Sequence, residues 1–158
     1  AGFPTGEVVE CHGSIHHLQC LNGCTTDIWS AVDFQPEVDE VRCRLLNEPP
    51  HCPLCGGLAR PNILMFGDWD WRGHLYQEQH ARLQQWLNAV KRLVIIEIGA
   101  GTAIPSVRHF GEFQDGFLIR INLRESDLPT GRRGIGLELG GLPGLTRIKD
   151  ALATMSGG

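Results

Sequence analysis

Apolar positions recur three and four residues apart between residues 73 and 92, at Leu75, Leu83, Trp86, Leu87 and Val90, with Gln79 the one polar member of that face. The spacing predicts an amphipathic helix with Trp86 in the core. Directly afterwards, residues 93–98 are almost continuously apolar and interrupted by Glu97, the pattern of a parallel strand buried on both faces. A glycine turn, Gly99-Ala100-Gly101, follows at once. Beyond it the pattern predicts a helix near 103–110, a strand at 117–122 and a last helix near 145–155. Toward the start of the chain, residues 7–11 read as a short strand delivering His12 to its end, where Gly13 permits a sharp turn. Residues 63–66 read as another strand, closed by Gly67-Asp68.

Strand, glycine turn, helix and strand in succession let backbone N–H groups approach a phosphate, while polar residues after the second strand, Asn122 and Glu125, reach a ribose. The glycine pair alone leaves a structural turn equally open. Ile104 stands where the third glycine of the dinucleotide fingerprint would fall. Leu139-Gly140-Gly141-Leu142 adds a second glycine-lined edge.

Residues 20–57 have little hydrophobic periodicity and are punctuated by Pro36, Pro49, Pro50 and Pro53. Metal can supply there what a core cannot. Cys20-x3-Cys24 and Cys52-x2-Cys55 place two sulfurs on each of two short turns, as a tetrahedral zinc ion requires. Two disulfides or buried thiols are the alternatives, and six cysteines could form three disulfides. Zinc is preferred because the pairs are tight, Cys11 and Cys43 are left over, and no secretory signal implies an oxidising compartment. His16, His17 and His51 compete as ligands in sequence but are expected at the surface or in packing.

The length of 158 residues suits one domain or part of a larger one. A formal charge of −4 argues against nucleic acid, and the segment between the cysteine pairs is locally acidic, so it would repel phosphate. It could receive a basic protein tail, although a solvated surface is the simpler reading. The longest aliphatic run, Leu93-Val94-Ile95-Ile96, is far short of a membrane span, so a cytoplasmic protein with no membrane partner is expected. Trp69 and Trp71 could line a cleft or pack; packing is favoured.

The chain resembles the sirtuins, NAD-dependent protein deacylases. Cys52-Pro53-Leu54-Cys55 through Arg60-Pro61 to Phe66-Gly67-Asp68 resembles the stretch from the family's second zinc pair to its Phe-Gly-Glu. His12-Gly13 resembles the catalytic His-Gly, residues 99–104 the Gly-Thr-Ser nucleotide loop, and Ile121-Asn122 the Ile-Asn ribose motif. The resemblance implies an α/β protein: part of a Rossmann-like NAD-binding domain with parallel sheet (1–19 and 58–158) and an inserted zinc module (20–57).

It further implies His12 as the base acting on a ribose hydroxyl, a task suited to an imidazole with an ordinary pKa of about 6.5. NAD would lie against Gly99, Ala100, Gly101, Asn122, Leu123, Gly140 and Gly141. An acyl-lysine peptide would add a strand beside Met65, Phe66, Gly67 and Asp68. Zn2+ held by Cys20, Cys24, Cys52 and Cys55 would be structural, since four thiolates leave no open coordination position. The products implied are free lysine, nicotinamide and O-acyl-ADP-ribose. Asp68 in place of glutamate, Trp69-Asp70-Trp71 in place of Leu-Pro, and Ala100-Gly101 in place of a hydroxyl pair depart from the pattern. The family's Gly-Ala-Gly-Ile-Ser and Thr-Gln-Asn-Ile-Asp segments do not occur in these residues, so this stretch alone is expected to bind zinc and catalyse little. An NAD-consuming hydrolase or ADP-ribosyltransferase, and a non-catalytic zinc-binding module, are the competing functions.

Overall fold

The computed structural model describes residues 2–156. The chain forms two compact units, Ala1–Asn88 and Ala89–Gly158. The first contains β1 (Gly13–Cys20), β2 (Ile28–Ser30), β3 (Val38–Asp39), β4 (Arg44–Leu45), β5 (Ala59–Ile63) and all but the last residue of α1 (His74–Ala89). Its main sheet is antiparallel in the order β2-β1-β5, with β3-β4 a separate two-stranded ribbon.

Two expected strands are shifted. Residues 7–11 do not form one: a 3-10 turn occupies Thr5–Glu7, and the Gly13 amide closes a further turn by donating to Glu10 O at 2.9 Å. Pairing begins only at Gly13, opposite Ile63, so His12 precedes a strand instead of ending one. Gly13 is required there. Its φ is +78°, and a Cβ would lie 1.9 Å from Asn62 O. The strand expected at 63–66 ends at Ile63, because the chain then turns from Met65 to Asp68. Pro61 is tolerated within β5 because that strand lies at the sheet's edge.

Leu18, Cys20, Cys52 and Ala59 are buried in this unit together with the polar Ser14, Gln19 and Asn62. Along α1, Gln79, the polar member of the predicted face, accepts the Glu10 amide at 2.7 Å. Trp86 is exposed, contrary to its expected place in the core, and so is Trp69, which packing was expected to cover.

The second unit contains β6 (Val94–Ile98), α2 (Ser106–Phe113), β7 (Phe117–Ile121), β8 (Gly134–Leu137) and α3 (Gly141–Ser156). Its strands are parallel in the order β6-β7-β8, so the predicted strand, turn, helix and strand are present. The burial predicted for β6 is not. Val94, Ile96 and Ile98 alternate onto one face of β6 that is left exposed, while the interrupting Glu97, on the opposite face, points inward to a buried partner. Gly144 brings α3 close to the sheet; a Cβ there would meet Ile121 Cγ2 at 2.6 Å. No helix among the described residues is long and apolar enough to cross a membrane.

Candidate functional site

The antiparallel pairing of β1 with β5 sets Cys20 opposite Ala59 and draws the two cysteine turns together. Cys20 Sγ lies 3.7 Å from Cys55 Sγ, and Cys24 Sγ 3.5 Å from Cys52 Sγ. All four sulfurs fall within 4.8 Å of one another. A tetrahedron with metal–sulfur bonds of about 2.3 Å has edges of about 3.8 Å, so this donor set fits zinc. The backbone amides of the turns are spent locally: Gly56 N donates to Cys52 O at 2.9 Å and Cys52 N to Gly57 O at 2.7 Å. Cys20 is held down to about 6, chiefly by the Cys24 backbone N–H, while Cys24 is pushed up chiefly by the side chains of Cys20 and Cys55. All six cysteines are free. Cys11 and Cys43 are exposed and outside the cluster, and His51 contacts it through Gly56 O at 2.8 Å.

The same pairing sets His12 beside the predicted peptide segment. The Leu64 amide donates to His12 O at 2.9 Å, and the turn carrying Met65, Phe66, Gly67 and Asp68 follows directly. His12 is exposed, with Nδ1 3.3 Å from Cys11 Sγ. Met65, Phe66 and Gly67 are exposed, whereas Asp68 is turned back into a two-pronged ion pair with Arg60 at 2.8 and 2.9 Å. The Arg60 guanidinium holds the Asp68 carboxyl below the usual range, and Asp68 N bonds Met65 O at 3.2 Å. Asp68 thereby fastens the turn.

In the second unit a cleft of about 530 Å³ opens at the carboxyl ends of β6 and β7. Gly99, Gly101, Asn122, Leu123, Gly140 and Gly141 line it together; Ala100 does not. The crevice beyond the carboxyl ends of parallel strands is where α/β sheets bind ligands. The Ala100 carbonyl is instead a brace, accepting from Asn122 Nδ2 at 3.1 Å and Arg108 Nη1 at 3.0 Å. Glu125 accepts the Thr102 amide at 3.1 Å and the Thr102 hydroxyl, whose short hydrogen bond lowers the Glu125 pKa. Thr102 donors are therefore committed within the protein. α2 begins at Ser106, later than the sequence pattern placed it, so its N-terminal amides are displaced from the glycine turn.

Sequence reasoning missed the groups that hold these surfaces. Gln19 and Asn62 are polar yet buried, and Arg108 bonds the carbonyls of Ala100, Glu125 and Asp127. Arg120, itself buried, pairs with Glu97 and Glu112. The opposite charges inside two apolar strands were the available signal for Glu97 and Arg120; Arg108 offered none.

The family model described as the Sir2 family matches residues 1–104. Over 117 residues, 67% of this chain and 19% of the relative, the chain is 33% identical to a protein of Fusarium oxysporum f. sp. cubense described as a probable bifunctional ADP-ribose hydrolase/ADP-ribosyltransferase. It is 39% identical over 62 residues to NAD-dependent protein deacylase 1 of Pseudomonas aeruginosa, covering 39% of this chain and 23% of that one. It is 36% identical over 61 residues to an NAD-dependent protein deacylase of Pyrococcus furiosus, covering 39% and 22%. The matched stretches thus span only 19–23% of these relatives' own lengths.

Proposed function

Because the chain belongs to the Sir2 family, we propose that it supplies the histidine, the peptide wall, the zinc module and part of the cofactor cleft of an NAD-dependent protein lysine deacylase. The observation that carries this reading is the β1–β5 pairing, which ties His12 to Leu64 and so to the Met65–Asp68 turn. An extended acyl-lysine peptide would find unpaired backbone beside that turn, at the edge of the sheet. NAD, when bound, supplies an electrophilic ribose carbon. Gly99, Gly101, Asn122, Leu123, Gly140 and Gly141 would lie against it; Ala100 would act through its braced carbonyl.

His12 would accept the proton of a ribose hydroxyl, and its exposed ring is accessible for that task. Zn2+ would be held by the four cysteines, keeping residues 20–57 folded with no part in the chemistry. The domain division proposed is 1–19 with 58–158, and 20–57. These 158 residues alone should turn over little, since the phosphate loop and nicotinamide-holding segment used by the family are not among them.

Mixing the full-length protein with NAD and an acetyl-lysine peptide should release nicotinamide and deacetylated peptide. His12→Asn should lower the deacetylated product by about 10²-fold or more. Undiminished deacetylation by that variant would remove His12 from the mechanism. A second reading, an NAD-consuming hydrolase or ADP-ribosyltransferase, is favoured by the long match to the Fusarium protein. It wins if nicotinamide release is the same without acyl-lysine.

A further inference from the structure

The rim beside the Met65–Asp68 turn holds one large ring in water. Trp69 is 96% exposed. The backbone around it is nevertheless clamped: Gln19 Nε2 donates to Asp70 O at 2.9 Å, Asn62 Nδ2 to Arg72 O at 2.9 Å, and Arg72 N to Gln19 Oε1 at 3.1 Å. Gln19 and Asn62 are 1% and 2% exposed and bond each other at 2.9 Å. On the other side, the Arg60–Asp68 pair fixes the residue before Trp69. Ordering this segment therefore costs little when something binds. An exposed indole on a preorganised backbone is a contact surface.

Charge selects its occupant. The Asp68 carboxylate is already neutralised by Arg60, but the exposed Asp70 carboxylate enters no hydrogen bond or ion pair among the described residues. Residues 1–88 carry eleven acidic side chains against five basic ones. A wholly apolar partner would desolvate Asp70 with no compensation. A phosphate would be repelled. A guanidinium satisfies both groups, since its charge pairs with the carboxylate and its face stacks on the indole, and an ammonium does so by charge alone, against the carboxylate and over the ring.

We propose that Trp69 and Asp70 form a subsite for a basic side chain near the acyl-lysine of the substrate peptide. The inference rests on the deacylase reading above, because it takes the peptide to lie along residues 65–68. The substrate class is thus an acylated lysine in a basic context.

Fluorescence anisotropy with the full-length protein tests it, using acetyl-lysine peptides that carry Arg, Gln or Glu at each flanking position in turn, with an unacetylated copy of the Gln peptide. An affinity ratio of Arg to Glu of about three- to tenfold is expected at one flanking position, shrinking as ionic strength rises. The ratio should fall toward one in both Trp69→Leu and Asp70→Asn. A wild-type ratio near one, or a ratio that survives both substitutions, overturns the subsite and leaves the deacylase reading standing if the acetylated Gln peptide outbinds its unacetylated copy. Equal binding of those two copies overturns both.

Discussion

Replacing Arg120 by methionine isolates the charge balance inside the parallel unit. Arg120 is 1% exposed in the middle of apolar β7. Its Nε and Nη2 donate to the two oxygens of Glu97 at 2.5 and 3.0 Å, Nη2 also to Glu112 Oε1 at 2.7 Å, and Nη1 to Asp127 O at 2.7 Å. Burial alone would lower its pKa, but the hydrogen bonds to Glu97 and Glu112 outweigh that and raise it. Methionine keeps an apolar stem and deletes the cation, so the Glu97 carboxylate is left buried without a counter-charge. Breaking one side of such a pair costs about 3–5 kcal/mol. Changing both members, Glu97→Leu with Arg120→Met, exchanges the pair for hydrocarbon and should recover most of that loss. The residue is the lost bond to Asp127 O, about 1 kcal/mol, with Glu112 retaining Arg108 Nε at 3.7 Å. A coupling of about 2 kcal/mol or more is therefore expected. Urea unfolding of the wild type, both singles and the double at constant salt reads it. If Arg120→Met costs under about 1 kcal/mol, or the double is destabilised by the sum of the singles, charge compensation does not sustain this unit.

Zinc should bind to the wild type and to Cys43→Ser but be lost from Cys52→Ser, by metal analysis of the purified chains; retention at wild-type stoichiometry in Cys52→Ser would break the tetrathiolate assignment. Gly13→Ala forces a side chain into a left-handed φ and against Asn62 O, so a loss of at least about 2 kcal/mol is expected by urea unfolding, and a negligible loss would count against the close approach. Because Arg60 lowers the Asp68 pKa in the folded chain, the contribution of that pair is full above the ordinary aspartate value of about 3.9 and lost as pH falls through the lower folded value. The Met65 amide resonance should follow that acid transition in the wild type and lose it in Asp68→Asn; an unchanged transition would show that another group is responsible.

The cysteine spacing and the β6, turn, α2, β7 succession were legible because each is written in a local signal: paired thiols, an apolar run and a glycine turn. β1 was not. Along it Ile15 is exposed while Ser14 and Gln19 are buried, and a shift of register between Ser14 and Leu18 breaks any regular hydrophobic alternation. β8, with Gly134 and Gly136 among its four residues, has too little side chain to read as a strand. Of the seven residues expected to lie against a cofactor, six line one cleft, and Ala100 departs because two side chains claim its carbonyl. The exposed face of β6 misled for a simpler reason: an aliphatic run specifies a strand, but not how many of its faces are covered.

Asn122 has a further consequence for whatever enters the cleft. A side-chain amide offers two N–H groups and a carbonyl with two acceptor positions. Here the carbonyl already receives the amides of Arg124 and Glu125, both at 3.0 Å, and one N–H is given to Ala100 O. A single proton remains to be shared. Asn122 can therefore recognise a ligand oxygen as an acceptor but has no capacity left to receive a hydroxyl proton. Asn122→Asp would remove even that donor and set a carboxylate against the Ala100 carbonyl, so an apparently conservative exchange inverts what the position can read.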